Sequence, residues 1–302
     1  MGNGGNMKET FVERKFSATS EQMIDIVNAI LDEYRLLGYR LSLRQIYYQL
    51  VARDYIPNSQ RSYKNLGDLL SNGRQAGKID WAMIEDRNRE TVIPAHWEDP
   101  AEIVEAAARS FRIDKWINQE YHVEIMVEKD ALSGVLEPVC RELDVGITAN
   151  KGYSSSSTMY EIGKRLGSKY FDDSKQIIVF YLGDHDPSGI DMTRDVEERL
   201  KMYSRIELEV VRLALNWDQI ELWRPPENPA KETDSRYWEY TKKFGESSWE
   251  LDAIEPTQLA GLVREAVLAL RDELAWAEIT DKENAMRYEL RSFADKYRNG
   301  KE

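Results

Sequence analysis

Two acidic signatures lying far apart in the chain hold the side chains best suited to chemistry. One, VEIMVEK, ends in Glu128-Lys129; the other, IIVFYLGDHDPSG, carries Asp184 and Asp186. Each acid stands where a short run of apolar and β-branched residues stops. A buried strand delivers a side chain in this way to the carboxyl edge of a parallel sheet, where open α/β sheets bind ligands. Asp184 and Asp186 are two residues apart, so on extended backbone both carboxylates point the same way. With Glu128 from a neighbouring strand end, three carboxylates could converge. Such a group is electrostatically costly unless a hard cation shares it, and Mg²⁺ (or Mn²⁺) beside a phosphate is a common solution. Taken alone, Asp-x-Asp-Pro-Ser-Gly is also a good turn.

A second candidate lies in Arg44-Gln45-Ile46-Tyr47-Tyr48. Helical spacing puts Tyr47 in register with Leu43, Leu50 and Val51, a core face. Tyr48 shares a face with Arg44 one turn earlier and Ala52 one turn later. A phenol with an ordinary pKa of about 10 is a poor nucleophile at neutral pH. A neighbouring guanidinium favours the phenolate, and a metal site nearby would steady charge on a phosphate. Tyr48 is therefore the better nucleophile of the two. Both rings could equally serve as packing or DNA-stacking aromatics, in a chain with 16 tyrosines.

The elements that position these residues can be read from periodicity. Residues 1–15 are Gly/Asn-rich and then charged, and read as a disordered leader. A helix from about Ser20 places Met23, Val27, Ile30, Leu31, Tyr34 and Leu37 on one face and ends near Gly38. In the next helix Ser42 and Gln45 form a capping-box pattern, with Leu41 and Ile46 as its hydrophobic staple. A third helix ends at Gly77, and KIDWAMIEDRNRE reads as a strand running into a loop. Three short helices with a small β element predict a winged-helix domain over residues 16–98. A helical connector follows over 99–120, with Ile103, Val104, Ala107, Phe111 and Ile113 as its apolar residues. Over 121–215 strands and helices alternate, the pattern of a parallel, doubly wound α/β sheet. The four serines 154–157 read as a loop or cap. WRPPENPAKETD is a Pro-rich break; SWELDAIEPTQLAGLVREAVLALRDELAWAEI then reads as one helix or two within a helical extension over 216–302.

Composition narrows the classes. The length of 302 residues suits two domains, or one large one with an extension. A single cysteine, Cys140, excludes a disulfide framework and a cysteine-rich zinc site. The histidines His96, His122 and His185 make no metal-binding spacing. The sequence has no bilayer-spanning apolar run and no signal peptide, so a cytoplasmic protein is expected. The net charge of −13 is awkward for a nucleic-acid enzyme, but it is unevenly spread. Residues 1–90 hold 13 Lys and Arg against 12 Asp and Glu; the remainder holds 28 against 42. A DNA-facing surface should therefore lie in the first third, with Arg40, Arg44, Arg53, Arg61, Lys64, Arg74, Lys78, Arg87 and Arg89 as its cations.

The combination of strand–Glu-Lys with strand–Gly-Asp-x-Asp-Pro-Ser-Gly resembles the Toprim domain of topoisomerases, primases and some nucleases. Preceded by an Arg-x-x-Tyr-Tyr helix, it is similar to the A subunit of topoisomerase VI and the related meiotic double-strand-break transesterase. The likeness spans Ser20 to about Asp272 and rests on RQIYYQL, VEK and GDHDPSG. It implies that Tyr48 attacks double-stranded DNA, forming a 5′-phosphotyrosyl link and releasing a 3′-hydroxyl. It also implies metal ligands at Glu128, Asp184 and Asp186, Lys129 near the phosphate and Arg44 as the motif arginine. A homodimer is implied, in which one subunit's tyrosine meets the other's metal site, with a separate ATPase subunit where strand passage occurs. The chain departs from the family at Thr158-Met159, where a Thr-Arg pair is expected, and it is shorter than a typical A subunit. Two other readings use the same residues: a hydrolytic Toprim nuclease in which Tyr48 only packs, and a non-catalytic DNA-binding subunit.

Overall fold

The computed structural model describes residues 8–84, 94–149, 156–170 and 175–299. Helix α1 (Ala18–Leu36) buries Ile24, Val27, Ile30, Leu31 and Tyr34, and Gly38 follows it with φ 81°. Leu37, expected on that face, is exposed because the helix has already ended. Helix α2 (Leu43–Ala52) starts where the capping box puts it: Ser42 Oγ accepts from Gln45 N, and Gln45 Oε1 accepts from Ser42 N. Leu41 and Ile46 are both fully buried beside this start. Helix α3 (Gln60–Gln75) closes a small core with α1 and α2, and Gly77 just beyond it has φ 67°. Of the leader, residues 1–7 lie outside the described residues, but the part after them is tied down: Thr10 bridges Ala76, and the N–H groups of Phe11 and Val12 donate to Gln75 O.

The strand expected to start at Lys78 and run into a loop by Glu90 is not found where it can be followed. Trp81–Met83 is a 3-10 turn, because Asp80 caps it by accepting from Ala82 N. Ile84 makes only an isolated bridge to Leu41, and the rest of that segment, with Arg87 and Arg89, lies outside the described residues. Among the described residues, the first ninety-odd contain helices and bridges but no strand. Helix α4 (Pro100–Ser110) is shorter than the expected connector, and Ile103 on it is exposed. It ends where Phe111 turns extended; Ile113 N then donates to Glu283 and Trp116 N to Asp114.

The alternation over 121–215 appears as β1 (Tyr121–Val127), α5 (Ser133–Glu142), β2 (Gly146–Ala149), α6 (Ser156–Tyr170), β3 (Gln176–Leu182), α7 (Pro187–Ser204) and β4 (Glu209–Ala214). The strands pair in parallel in the order β2-β1-β3-β4. Side chains alternate across this sheet. Val123, Ile125, Val127, Ile178, Phe180 and Leu182 join one core with α5, while Met126, Ile177, Val179 and Tyr181 join another with α6 and α7. Met159, at the departure from the family pattern, is a fully buried member of the second core.

After α8 (Trp217–Trp223) the chain forms β5 (Asn228–Pro229), α9 (Tyr237–Phe244) and β6 (Ser247–Ser248), with β5 and β6 antiparallel. Residues 248–255, expected as helix, hold only the end of β6 and a 3-10 turn at Leu251–Ala253. Helices α10 (Pro256–Leu268) and α11 (Glu273–Asn299) then cover α5 and α4 respectively. The fold is mixed α/β, and among the described residues no helix is long and apolar enough to cross a membrane.

Candidate functional site

The carboxyl edge of the sheet carries the acids. β1 runs out into Glu128, and β3 ends at Leu182 in the adjacent register. Glu128 Oε2 accepts from Asp184 N at 2.9 Å, which locks the two motifs together. Gly183 permits this approach: a Cβ there would lie 2.6 Å from the same oxygen. Gly189 is needed for a similar reason, since its Cβ would meet Asp184 O at 2.2 Å. Asp186 caps α7, its Oδ1 accepting from Gly189 N at 2.6 Å and from Ser188 Oγ at 2.9 Å. Arg212 on β4 supports the turn from below, donating to the carbonyls of Gly183, Asp184, Gly189 and Leu215.

The three acids are neighbours without sharing a common centre. Asp184 Oδ1 accepts from Leu251 N at 2.8 Å, and Oδ2 lies 2.6 Å from Lys129 Nζ. Among the described residues no three carboxylates or imidazoles are drawn together as a metal cage. All three side chains are hard oxygen donors, the type that Mg²⁺ or Mn²⁺ takes. Burial raises Glu128, with the Asp186 charge adding to it; burial also raises Asp184, with Glu250 and Glu128 adding. Carboxylates raised in this way are stabilised by a divalent ion with oxygen preference.

His185, between the two aspartates, is structural. It is fully buried against Trp217, Tyr240, Phe244 and Trp249, and its Nδ1 meets Tyr240 Oη at 2.8 Å. Burial, helped by Arg212, pushes its imidazole down to about 4, so it is neutral. Its backbone bridges Trp249, with His185 N–H donating to Trp249 O and Trp249 N–H to His185 O.

That bridge delivers two acids that sequence reasoning absorbed into a helix. Glu250 Oε2 lies 2.6 Å from Arg44 Nη2 and also contacts Lys129 Nζ. The carboxylate of Asp252, with no exposed side-chain surface, lies 2.6 Å from Arg44 Nε and 3.3 Å from Lys129 Nζ. The Arg44 Nε contact is a charge pair only, because its N–H is not aimed at the oxygen. Burial opposes the charge on both cations, but the surrounding carboxylates outweigh it and keep them protonated. The signal in the sequence was the i, i+2 spacing of Glu250 and Asp252, which mirrors that of Asp184 and Asp186.

Tyr48 joins the same cluster. The Arg44 guanidinium lies 5.7 Å from its ring centroid, and Tyr47 packs edge-on at 5.2 Å. Tyr47 is a core residue whose hydroxyl donates to Asn58 Oδ1 at 2.8 Å, as its face predicts. The pull of Arg44 on Tyr48 has the expected sign but does not prevail. Burial is the largest influence; with the Glu250 charge it raises the phenol, outweighing Arg44, Asn228 and Lys129. Beside the two tyrosines opens a cleft of about 440 Å³, lined also by Asn58, Gln60, Tyr63, Asn228 and Glu250.

The expected DNA-facing cations do not form one patch. Arg61 and Lys64 are exposed on α3 next to the cleft residues Gln60 and Tyr63. Arg74 stacks on Trp81 at the far end of α3, about 20 Å along the axis, with Lys78 exposed beyond it. Arg53 is bonded to Glu33 at 2.9 Å and to Gln49 at 3.1 Å, and Arg40 is exposed before α2. The chain matches no protein-family model and no curated protein.

Proposed function

We propose that the chain breaks DNA by transesterification from Tyr48, with a winged-helix-like unit in its first third facing a Toprim-like sheet. The observation that supports this most is one continuous charge network. Arg44, a turn before Tyr48, shares Glu250 with Lys129, and Lys129 holds Asp184. Residues from the tyrosine helix and from both acidic motifs, far apart in sequence, thereby meet within a single chain.

In this reading Tyr48 Oη bonds to the phosphorus, the bond from phosphorus to the 3′-oxygen breaks, and that oxygen leaves as a 3′-hydroxyl. The proton lost by the phenol balances the one gained by the leaving oxygen. Arg44 steadies the phenolate and Lys129 faces the phosphate. Mg²⁺ or Mn²⁺, held by Glu128, Asp184 and Asp186, would neutralise phosphate charge when bound. Arg61 and Lys64 would flank the duplex, and a homodimer would place two such sites on it. An ATPase subunit remains a further proposed partner.

Supercoiled plasmid incubated with Mg²⁺ or Mn²⁺, stopped with SDS and run with and without protease, tests the reading. Cut DNA that enters the gel only after protease, and that disappears in Tyr48→Phe and Asp184→Ala, is the expected result. Cleavage that needs Asp184 but ignores Tyr48 and protease would replace it with hydrolysis. Binding without cleavage under either metal would leave a non-catalytic DNA-binding subunit.

A further inference from the structure

We infer that Glu250 is an internal stand-in for the phosphate: its carboxylate occupies an anion seat made by Arg44 and Lys129, and a bound anion must displace it. That the natural anion is a DNA phosphodiester rests on the function proposed above; the seat itself does not.

One oxygen, Glu250 Oε2, takes both cations, Arg44 Nη2 at 2.6 Å and Lys129 Nζ in direct contact. The Arg44 guanidinium lies over the Tyr48 ring, and the charges of Lys129 and Glu250 both act on its phenol. An oxygen anion accepting from a guanidinium and an ammonium next to a nucleophile is the geometry a phosphate oxygen would need. Glu250 also lines the open cleft, so an anion entering there meets it.

The two acids of this segment are built differently. Asp252 is enclosed, with none of its side chain exposed, whereas 27% of the Glu250 side chain is exposed. Asp252 can therefore hold Arg44 and Lys129 in place while Glu250 swings out. The charge balance permits the exchange. Arg44 and Lys129 face three carboxyl groups, those of Asp184, Glu250 and Asp252. A phosphodiester and a carboxylate each carry one negative charge, so replacing one by the other leaves the total unchanged. A phosphate arriving with Glu250 still seated would add a further anion beside its carboxylate, which like-charge repulsion opposes.

The test is binding rather than cleavage, in a Tyr48→Phe background that cannot form a covalent link. Calorimetry with inorganic phosphate, and fluorescence anisotropy with a short labelled duplex, compare that protein with versions also carrying Glu250→Gln, Glu250→Ser or Glu246→Gln. Glu246 is exposed and controls for long-range charge. Phosphate affinity is expected to rise about tenfold in both Glu250 variants, equivalent to about 1.4 kcal/mol. Glu246→Gln should leave it unchanged, and adding Lys129→Met should abolish the gain. Equal gains in the Glu246 and Glu250 variants, or no gain in folded Glu250→Gln and Glu250→Ser proteins, would overturn the inference. A gain for phosphate without one for the duplex would keep the seat and remove DNA as its ligand. Duplex binding that ignores Glu250, with no phosphate gain, would remove the seat and leave the DNA reading standing.

Discussion

The polar residues around the sheet edge differ in what their loss should cost. Arg212 donates to four backbone carbonyls between 2.6 and 3.2 Å, including both Gly183 O and Asp184 O. Methionine retains the bulk but removes all four of these bonds, leaving Gly183 O with only its Leu215 N–H donor. Arg212→Met should destabilise the chain by about 3 kcal/mol, read as a lowered urea midpoint. Glu124, in mid-strand, has a different role: it accepts two bonds from Arg165 and one from His122, which in turn meets Tyr170 Oη. Burial works against its charge, but Arg165 and His122 prevail and hold its carboxyl down at about 2. A depressed acid stabilises the fold above its unfolded pKa, and that contribution fades as pH falls through the folded value. Wild type should therefore exceed Glu124→Gln by up to about 3 kcal/mol near neutrality. Denaturant titrations should show this gap closing between about pH 4.5 and pH 2. A gap that stayed constant over that range would mean that the carboxylate charge contributes nothing.

At the scale of elements, legibility followed the strength of local rules. The βα alternation was readable because buried strands and amphipathic helices each impose a period, and because glycines at 183 and 189 are sterically required. The start of α2 was readable for a chemical reason, since Ser42 and Gln45 satisfy each other's backbone donors. Ser42→Ala should consequently cost about 1 kcal/mol in a thermal or urea melt. It should also loosen the turn that orients Arg44, seen as weaker hydrogen-exchange protection over α2. Residues 248–255 were misread for the opposite reason. Their shape is set by docking, through the His185–Trp249 bridge and the Leu251 N–H on Asp184, and not by any period of their own. The acids Glu250 and Asp252 therefore reach the site by tertiary contacts, of which their i, i+2 spacing was the one local sign. Similarly, Trp81–Met83 turns because Asp80 caps it.

The whole molecule raises the question of whose acids serve whose tyrosine. The family resemblance pairs the tyrosine of one subunit with the metal site of another. Within one chain, however, Arg44 beside Tyr48 is already joined through Glu250 to Lys129 and Asp184. Asn58, adjoining the tyrosine helix, likewise donates to Glu227 O and Asn228 Oδ1 across the same cleft. The contacts of Arg44 with Glu250 and Asp252, and those of Asn58, must break for a partner's tyrosine to replace the chain's own, and at least the partly buried charge pairs would need new partners as they did so. An intrachain site is thus the arrangement these contacts favour, even if two chains associate to cut two strands. Mixing decides the matter. Tyr48→Phe and Asp184→Ala proteins, each inactive alone, are combined and allowed to exchange subunits before plasmid is added. With intrachain sites every chain carries one defect, and the mixture should stay as inactive as its components. With shared sites, a mixed dimer would bring an intact Tyr48 to an intact Asp184 and restore nicking at one of its two centres.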